Sequence, residues 1–137
     1  ELKEKLFKQI PALGNLIKDV KDKVYRTGKL KAIDGRLLNV RSQHSALNFL
    51  IQSCGSILVK QATILLHAQL FAKYKYKEDF AMVAHVHDEM QLQVREDLAD
   101  KVGQLGVQSV KETQNVFGLR CPLDAEYKVG NNWAETH

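Results

Sequence analysis

The sequence predicts an α+β fold in which a mostly antiparallel sheet packs on long helices. Two runs of alternating apolar residues, 80–86 and 90–95, flank the tripeptide HDE and are typical of a β-hairpin with a charged tip. Residues 43–74 are apolar around most of a helical circumference, which indicates a helix buried on more than one side. No linker or low-complexity segment interrupts the 137 residues, so we expect one α+β unit.

The first part of the chain is predicted from helical spacing and from one turn. Apolar residues recur every three or four positions over residues 2–26, and Pro11 is expected to kink this helix or to begin a second helical piece. Residues 30–40 are typical of a short hairpin. Its Asp34-Gly35 pair fits a two-residue type I′ turn.

The remaining elements follow in order. Ser42 is expected to cap the long helix over residues 43–74. Gly55 costs that helix about 1 kcal/mol relative to alanine, so we expect its backbone to press against another element. An amphipathic helix is predicted over residues 97–116, and the alternating tail over 119–128 is typical of an edge strand. The apolar face of the amphipathic helix comprises Leu98, Val102, Leu105 and Val110.

Charge is distributed unevenly along the chain. Residues 1–41 carry eleven Lys or Arg against five Asp or Glu, whereas the remainder carries nine against eleven, within a net charge of +4. One interpretation is a basic lobe that faces a polyanion, with the acidic remainder placing carboxylates at a cation site. The alternative is a lysine-rich helix face exposed to solvent.

The compartment is predicted from what the sequence lacks. Cys54 and Cys121 lie far apart without a CxxC motif, which is typical of two reduced thiols in a reducing compartment. No uninterrupted apolar run of 18 residues and no signal-peptide pattern occurs. We therefore expect a soluble, cytoplasmic protein with no membrane partner.

The hairpin tip is the first candidate site. A two-residue turn favours Asn-Gly or Asp-Gly, and the Asp-Glu pair found here is a poor choice for it. Because a turn projects its side chains beyond the sheet, Asp88 and Glu89 could reach a divalent cation such as Mg²⁺. The alternative is an ordinary exposed charged tip.

A polar stripe on the long helix is the second candidate site. Asn48 and Gln52 stand four residues apart, and Ser45 and Ser56 extend the same face by one turn on either side. Amides can donate and accept hydrogen bonds, which suits contacts with minor-groove base edges that do not depend on sequence. The alternatives are a stripe exposed to solvent, or amides whose hydrogen bonds are satisfied in the core.

Three segments in the same order carry a family resemblance: DGRLLNVRSQHSALNFLIQSCGS, AHVHDEMQLQV and LDAEYKVGNNWAETH. Together they resemble the C-terminal part of a family A DNA polymerase of the bacteriophage replicative type, collinear over nearly all of the chain. The opening resembles the helix that follows the nucleotide-binding helix of the fingers. The resemblance implies that residues 1–29 end the fingers and that residues 30–137 form the C-terminal part of the palm, with its antiparallel sheet.

The resemblance also implies roles for single residues. Asp88 matches the metal-binding aspartate of the palm, Glu89 a supporting acid beside it, and His87 a residue near the primer terminus. His137 matches a final histidine close to the active centre. The positions that match DNA contacts are Asn48 and Gln52 at the minor groove and template, and with weaker correspondence His44, Arg41 and Arg36.

The implied reaction is nucleotidyl transfer from a dNTP to a primer 3′-hydroxyl on primer-template DNA, with two Mg²⁺ ions. No motif like DYSxxE supplies the second metal-binding aspartate, and the triphosphate-binding fingers helix is missing. We therefore expect the chain to be inactive alone and to need the missing exonuclease, thumb, palm and fingers parts as partners. Exposed apolar faces are then expected to cause self-association. Two alternatives are a non-catalytic module that binds duplex DNA and a phage assembly protein.

Overall fold

The computed structural model describes residues 2–136, and the side chains of residues 5–136, as two compact units. The first unit is Glu1–Cys54 and the second is Gly55–His137. The sequence predicts a single unit, and the structure has two. No linker marks the division between them, because it falls within the long helix Ala46–Lys73.

The first unit contains two helices, a small hairpin and the beginning of the long helix. Pro11 occupies the first turn of the second helix, where its missing N–H leaves no hydrogen bond unmade, so the predicted new helical piece is confirmed. Gly28 ends that helix in the left-handed conformation (φ 64°). The elements are α1 (Leu2–Gln9), α2 (Pro11–Thr27), β1 (Lys29–Lys31), β2 (Leu37–Asn39) and α3 (Ala46–Lys73). The core comprises Val20, Val24, Leu30, Val40 and Ala46.

The β1–β2 hairpin is present, but its predicted type I′ turn is wrong. The strands are joined by a longer loop, Ala32–Arg36, in which Gly35 has positive φ (89°) and Asp34 does not. Instead, the Asp34 carboxylate accepts hydrogen bonds from the backbone N–H of Arg36 (3.2 Å) and from its guanidinium (2.6 Å). This local bonding by the aspartate competes with the tighter turn.

The long helix α3 differs from its prediction in three ways. It begins at Ala46, three residues late, and Ser42 contributes its carbonyl to the Ser45 hydroxyl (3.2 Å) in the preceding turn. A Cβ added at Gly55 would meet no atom within 4 Å, so the predicted close approach there is wrong. Within the described chain Ile51 and Ile64 are about 60% exposed, so the helix is not buried on several sides.

Helix α3 is also long and apolar enough to cross a membrane, judged by length and composition. Its most apolar window of 18 residues has a mean hydropathy of 1.5, and 17% of that window is buried. The core helix of a soluble protein satisfies the same criteria, so this property by itself does not indicate a membrane.

The second unit holds the main hairpin, which packs with α3 and a further helix around one core. Its elements are β3 (Phe80–Val86), β4 (Glu89–Val94), a 3₁₀ turn (Glu96–Leu98), α4 (Ala99–Phe117) and α5 (Trp133–Thr136). The pairing of β3 with β4 is antiparallel and runs from Phe80↔Val94 to Val86↔Glu89, with an irregularity at Val83. The core comprises Leu66, Leu70, Phe80, Leu98 and Val102. The amphipathic helix predicted over residues 97–116 is thus confirmed.

The predicted tail strand is wrong in the described structure, where residues 119–128 belong to no strand. Side chains dock this segment on α4 instead. Lys111 pairs with Asp124 (3.2 Å), and the ring of Tyr127 lies directly on Gly103 while its hydroxyl donates to Asp100 (3.3 Å). The alternating residues of the tail are therefore held by side-chain contacts, and the tail needs no hydrogen bonds from its backbone to a neighbouring strand.

Candidate active site

The tip of the β3–β4 hairpin is a two-residue turn formed by His87 and Asp88. Val86 pairs with Glu89, so Glu89 is the first residue of β4, and the predicted Asp-Glu turn pair is wrong. His87 has φ 54°, a left-handed conformation that is uncommon for a residue with a side chain. Local strain of this kind concentrates at functional sites, which supports a role for the tip beyond closing the hairpin.

The two carboxylates at the tip have different surroundings. Asp88 is exposed, and in the described chain its carboxylate has no hydrogen-bond or ion-pair partner. Glu89 is half-buried and accepts a hydrogen bond from the side-chain amide of Gln91. The Asp88 carboxylate is therefore available to a ligand, whereas that of Glu89 is oriented by the protein.

Gln91 connects the tip to the C-terminal helix. The Thr136 hydroxyl donates to the side-chain amide oxygen of Gln91 (3.5 Å). His137, predicted near the active centre, follows directly but lies outside the described residues. Sequence analysis missed Gln91, although the two-residue period of a strand already places it on the same face as Glu89.

A groove of about 660 Å³ borders β4 within the second unit, with both carboxylates among its lining residues. One wall is α4, where Gly103 and Gly106 have no side chains to fill the groove. The facing wall is the tail segment 125–130. This groove gives the hairpin an open side along β4.

The donor atoms at the tip fit a divalent cation in part. No three His, Cys, Asp or Glu side chains converge on one point anywhere in the described part of the chain. However, Mg²⁺ often retains several waters and takes only one or two carboxylates plus substrate phosphates. Asp88 and Glu89 supply two adjacent carboxylates and so fit part of such a coordination shell.

The two amides predicted to contact DNA lie in the first unit, on the first turns of α3. Asn48 and Gln52 are both exposed, and neither side chain makes a hydrogen bond to another described residue. Their spacing of four residues places them on one helix face, as predicted. Since the amides are not satisfied in the core, that alternative is excluded for the described chain.

The other three residues predicted to contact DNA differ in whether their side chains are free to bind a phosphate. Arg41 and His44 are exposed in the segment before α3. Arg36 is paired with Asp34 (2.6 Å), and a phosphate would have to compete with this carboxylate. Arg41 is therefore more available than Arg36 for binding a phosphate group.

The opposite end of the hairpin is closed by an ion-pair network. Arg95 contacts Asp79 and Asp97, each at 2.5 Å, and its backbone N–H donates to the Asp79 carbonyl (2.9 Å). The hydrogen bond from Arg95 lowers the pKa of Asp97, and the same bond raises the pKa of Arg95. The network ties the residue before β3 to the residue after β4.

A family model, DNA polymerase family A, matches residues 1–135. The DNA-directed DNA polymerases of Enterobacteria phage T3 and Escherichia phage T7 are each 32% identical over 155 residues, covering the whole of this chain and 22% of each relative. DNA polymerase I of Aquifex aeolicus is 26% identical and is matched over 23% of its length. The chain thus spans less than a quarter of these relatives.

A solved structure has a similar fold. The POL domain of Pol1 from M. smegmatis, solved in complex with DNA primer-template and dNTP, aligns with a TM-score of 0.69 and 21% identity. The alignment covers 93% of this chain and 23% of the other. The helices and small antiparallel sheets of this chain therefore resemble part of a polymerase domain.

Proposed function

The chain belongs to DNA polymerase family A, and on this premise we propose that it is the C-terminal palm and partial-fingers portion of a bacteriophage-type replicative polymerase. Residues 1–29 would end the fingers, and residues 30–137 would form the palm portion. The reaction of the complete enzyme is template-directed nucleotidyl transfer in the cytoplasm, with the primer 3′-hydroxyl attacking the α-phosphorus of a dNTP.

The observation that carries this proposal is the position of Asp88. An unpaired, exposed carboxylate stands at a hairpin turn, beside a second carboxylate that the protein orients. Positioning matters because a displacement of about 1 Å can cost roughly a hundredfold in rate. A short strand pair closed by ion pairs at its base and packed on helices supplies the necessary rigidity.

The tip residues have separate roles in the proposal. Asp88 and Glu89 would hold the metal, with Gln91 fixing the Glu89 carboxylate, and His87 would lie near the primer terminus. Two Mg²⁺ ions, when bound, lower the pKa of the attacking hydroxyl and stabilise the entering and departing oxygens. His137 would lie close to this centre.

The first unit would supply the contacts with primer-template DNA. Asn48 and Gln52 offer free amides to minor-groove acceptors, which lie at similar places in every base pair. Arg41 and His44 are available to phosphates or sugars, and Arg36 would act only after releasing Asp34. Such contacts test base-pair geometry without reading sequence.

The chain alone would be inactive. No motif like DYSxxE offers a second catalytic aspartate, and Asp34, a candidate by residue type, is held by Arg36 in a loop. The missing parts of the polymerase would supply that aspartate and the dNTP-binding helix. Primer extension by this chain with Mg²⁺ should give no product, and robust extension without an added partner would contradict the proposal.

A positive test uses Mn²⁺ as the probe of the metal site. We expect Mn²⁺ to broaden the backbone NMR signals of residues 86–90 selectively, and we expect Asp88→Asn to abolish this broadening. Asp19→Asn is the matched control, because Asp19 is an exposed carboxylate on α2, in the first unit. A non-catalytic module that binds duplex DNA would show no selective broadening in the wild-type chain.

Ile51 and Ile64, two exposed apolar residues of α3 before the aromatic end of the helix, support the proposal that other parts of the polymerase cover this region. Lys60 and Gln61 stand in its middle and would be costly in a bilayer. Without those parts, the exposed faces should cause self-association. Sedimentation that shows only monomer at high concentration would contradict this expectation.

A further inference from the structure

Three aromatic rings are stacked at the C-terminal end of α3, within the second unit. The ring centroids of His67 and Phe71 are 4.2 Å apart, and those of Phe71 and Tyr76 are 5.4 Å apart, with interplanar angles below 30°. Phe80, the first residue of β3, contacts both Phe71 and Tyr76 edge-on. We call His67, Phe71 and Tyr76 the aromatic patch.

The aromatic patch is a surface feature fixed to the core. Phe71 is 48% exposed and Tyr76 is 45% exposed, whereas Phe80 beneath them is 3% exposed. His67 is exposed as well. Rings at these centroid distances attract one another, so the stack is ordered while its outer faces remain open to a ligand.

Lysines alternate with tyrosines beside the patch, in the sequence KYKYK from Lys73 to Lys77. Lys75 pairs with Glu78 (3.3 Å), and both side chains are exposed. Among the described residues, Lys73 and Lys77 have no carboxylate within ion-pair distance. The Lys77 ammonium lies 5.9 Å from the centre of the Tyr76 ring. Positive charge therefore lies beside the Tyr76 ring.

We propose that the aromatic patch and these lysines bind single-stranded DNA. Phe71 lies between the other two rings, so bases would stack on the outer faces of His67 and Tyr76 whatever their sequence, while neighbouring cations attract the phosphates. The patch lies at the Phe80 end of β3 and Asp88 lies beyond the other end. Seven residues of strand separate the two ends by roughly 23 Å. The site is therefore distinct from the proposed metal site and does not depend on it.

A membrane surface is the rival occupant, since aromatic and basic residues at the end of an apolar helix also mark a bilayer interface. The contacts favour nucleic acid. Interfacial side chains reach individually into the headgroups, whereas these rings stack on one another and on Phe80.

The experiment measures binding of fluorescently labelled oligo(dT) to the full chain by anisotropy at low salt. Phe71→Leu and Tyr76→Leu keep an apolar side chain and remove the ring, and each should weaken binding roughly tenfold. Tyr25→Leu is the matched control, because Tyr25 is 79% exposed beside lysines of α2 and belongs to no stack. It should leave the affinity unchanged.

Two further measurements keep the test decisive if a ring variant unfolds. Lys73→Gln with Lys77→Gln changes exposed side chains and should lower the salt dependence of log affinity by roughly one. Photocrosslinking with 4-thiothymidine oligonucleotides should label His67 or Tyr76, the two outer rings of the stack. Oligo(dT) binding is measured without added divalent ion, so the metal site and the aromatic patch can fail separately.

Three results would overturn the proposal. The first is unchanged affinity in both leucine variants, and the second is an equal loss in Tyr25→Leu, which would indicate that the basic first unit does the binding. The third is displacement of oligo(dT) by vesicles of anionic phospholipid with loss of the crosslinks, which would assign the patch to a membrane surface.

Discussion

The two ends of the β3–β4 hairpin are built differently. At the base, Phe80 is buried, and Arg95 bridges Asp79 and Asp97. At the tip, His87 and Asp88 are exposed, and His87 adopts an unfavourable backbone conformation. One end of the same strand pair is thus held by burial and ion pairs, and the other end is held mainly by the strands themselves.

This difference shows how a small sheet can present reactive side chains. Stabilising contacts at the base fix the register of both strands, so the turn need not contain the residues best suited to turns. The tip can then carry residues chosen for ligand binding. Substitutions at the base should therefore change stability, and substitutions at the tip should change ligand binding.

The largest effect is expected at the base, from Phe80→Ala. Phe80 is 3% exposed, lies in the core of the second unit and supports the aromatic patch. Removing its ring should lower the free energy of unfolding by about 3–5 kcal/mol. Urea unfolding followed by circular dichroism measures the change.

Val83→Ala on the same strand is the control for this prediction. Val83 is 66% exposed at the strand irregularity, and its loss should change stability by less than about 0.5 kcal/mol. Equal effects at Phe80 and Val83 would contradict the view that stability is concentrated at the base.

The next effect concerns the tail that bounds the groove beside β4. A methyl group added at Gly103 would overlap the Tyr127 ring, so Gly103→Ala should displace the tail and cost about 1–3 kcal/mol. At Gly106 the nearest atom to an added Cβ is 4.0 Å away, and Gly106→Ala should stabilise α4 by up to about 1 kcal/mol. Opposite signs for the two variants in thermal unfolding would support the tail docking.

A smaller effect is expected at the tip, from His87→Gly. Glycine adopts positive φ without steric cost, so the variant should be stabilised by about 1 kcal/mol. His87→Ala keeps the Cβ and should show no such gain. Thermal unfolding of both variants tests whether the tip carries strain; a loss of stability in His87→Gly would mean that the imidazole makes a stabilising contact.

Elements that depend on local geometry and burial could be predicted from the sequence, whereas those that depend on particular side-chain hydrogen bonds could not. Periodicity and special residues located α2 at Pro11, the main hairpin and the amphipathic helix, because these depend on local geometry and burial. The Asp34-Gly35 turn failed because an aspartate carboxylate can bond its own loop, a choice that periodicity does not express.

The candidate site shows the same limit. The order of motifs was sufficient to identify the family, which the family model confirms. The roles of Gln91, Thr136 and Tyr127 depend on which side chains meet across the fold, and no single-sequence pattern gives the pairing of Tyr127 with Gly103. The assumed burial of α3 failed because an apolar composition does not say which surface covers a helix.

The smallest effect is expected from pH at the base. The hydrogen bond from Arg95 holds the pKa of Asp97 below its ordinary value of 3.8, so folding favours the ionised carboxylate. The stabilisation is fully present above that ordinary value and is lost as the pH falls through the lowered pKa in the folded state. Asp97→Asn should therefore flatten the stability profile below about pH 4 and leave it nearly unchanged at pH 7, where exposed pairs contribute little. Urea unfolding of wild type and variant between pH 2 and pH 7 (roughly the range that spans the carboxyl titration) measures this, and identical acid profiles would show that the Arg95 network does not stabilise the base.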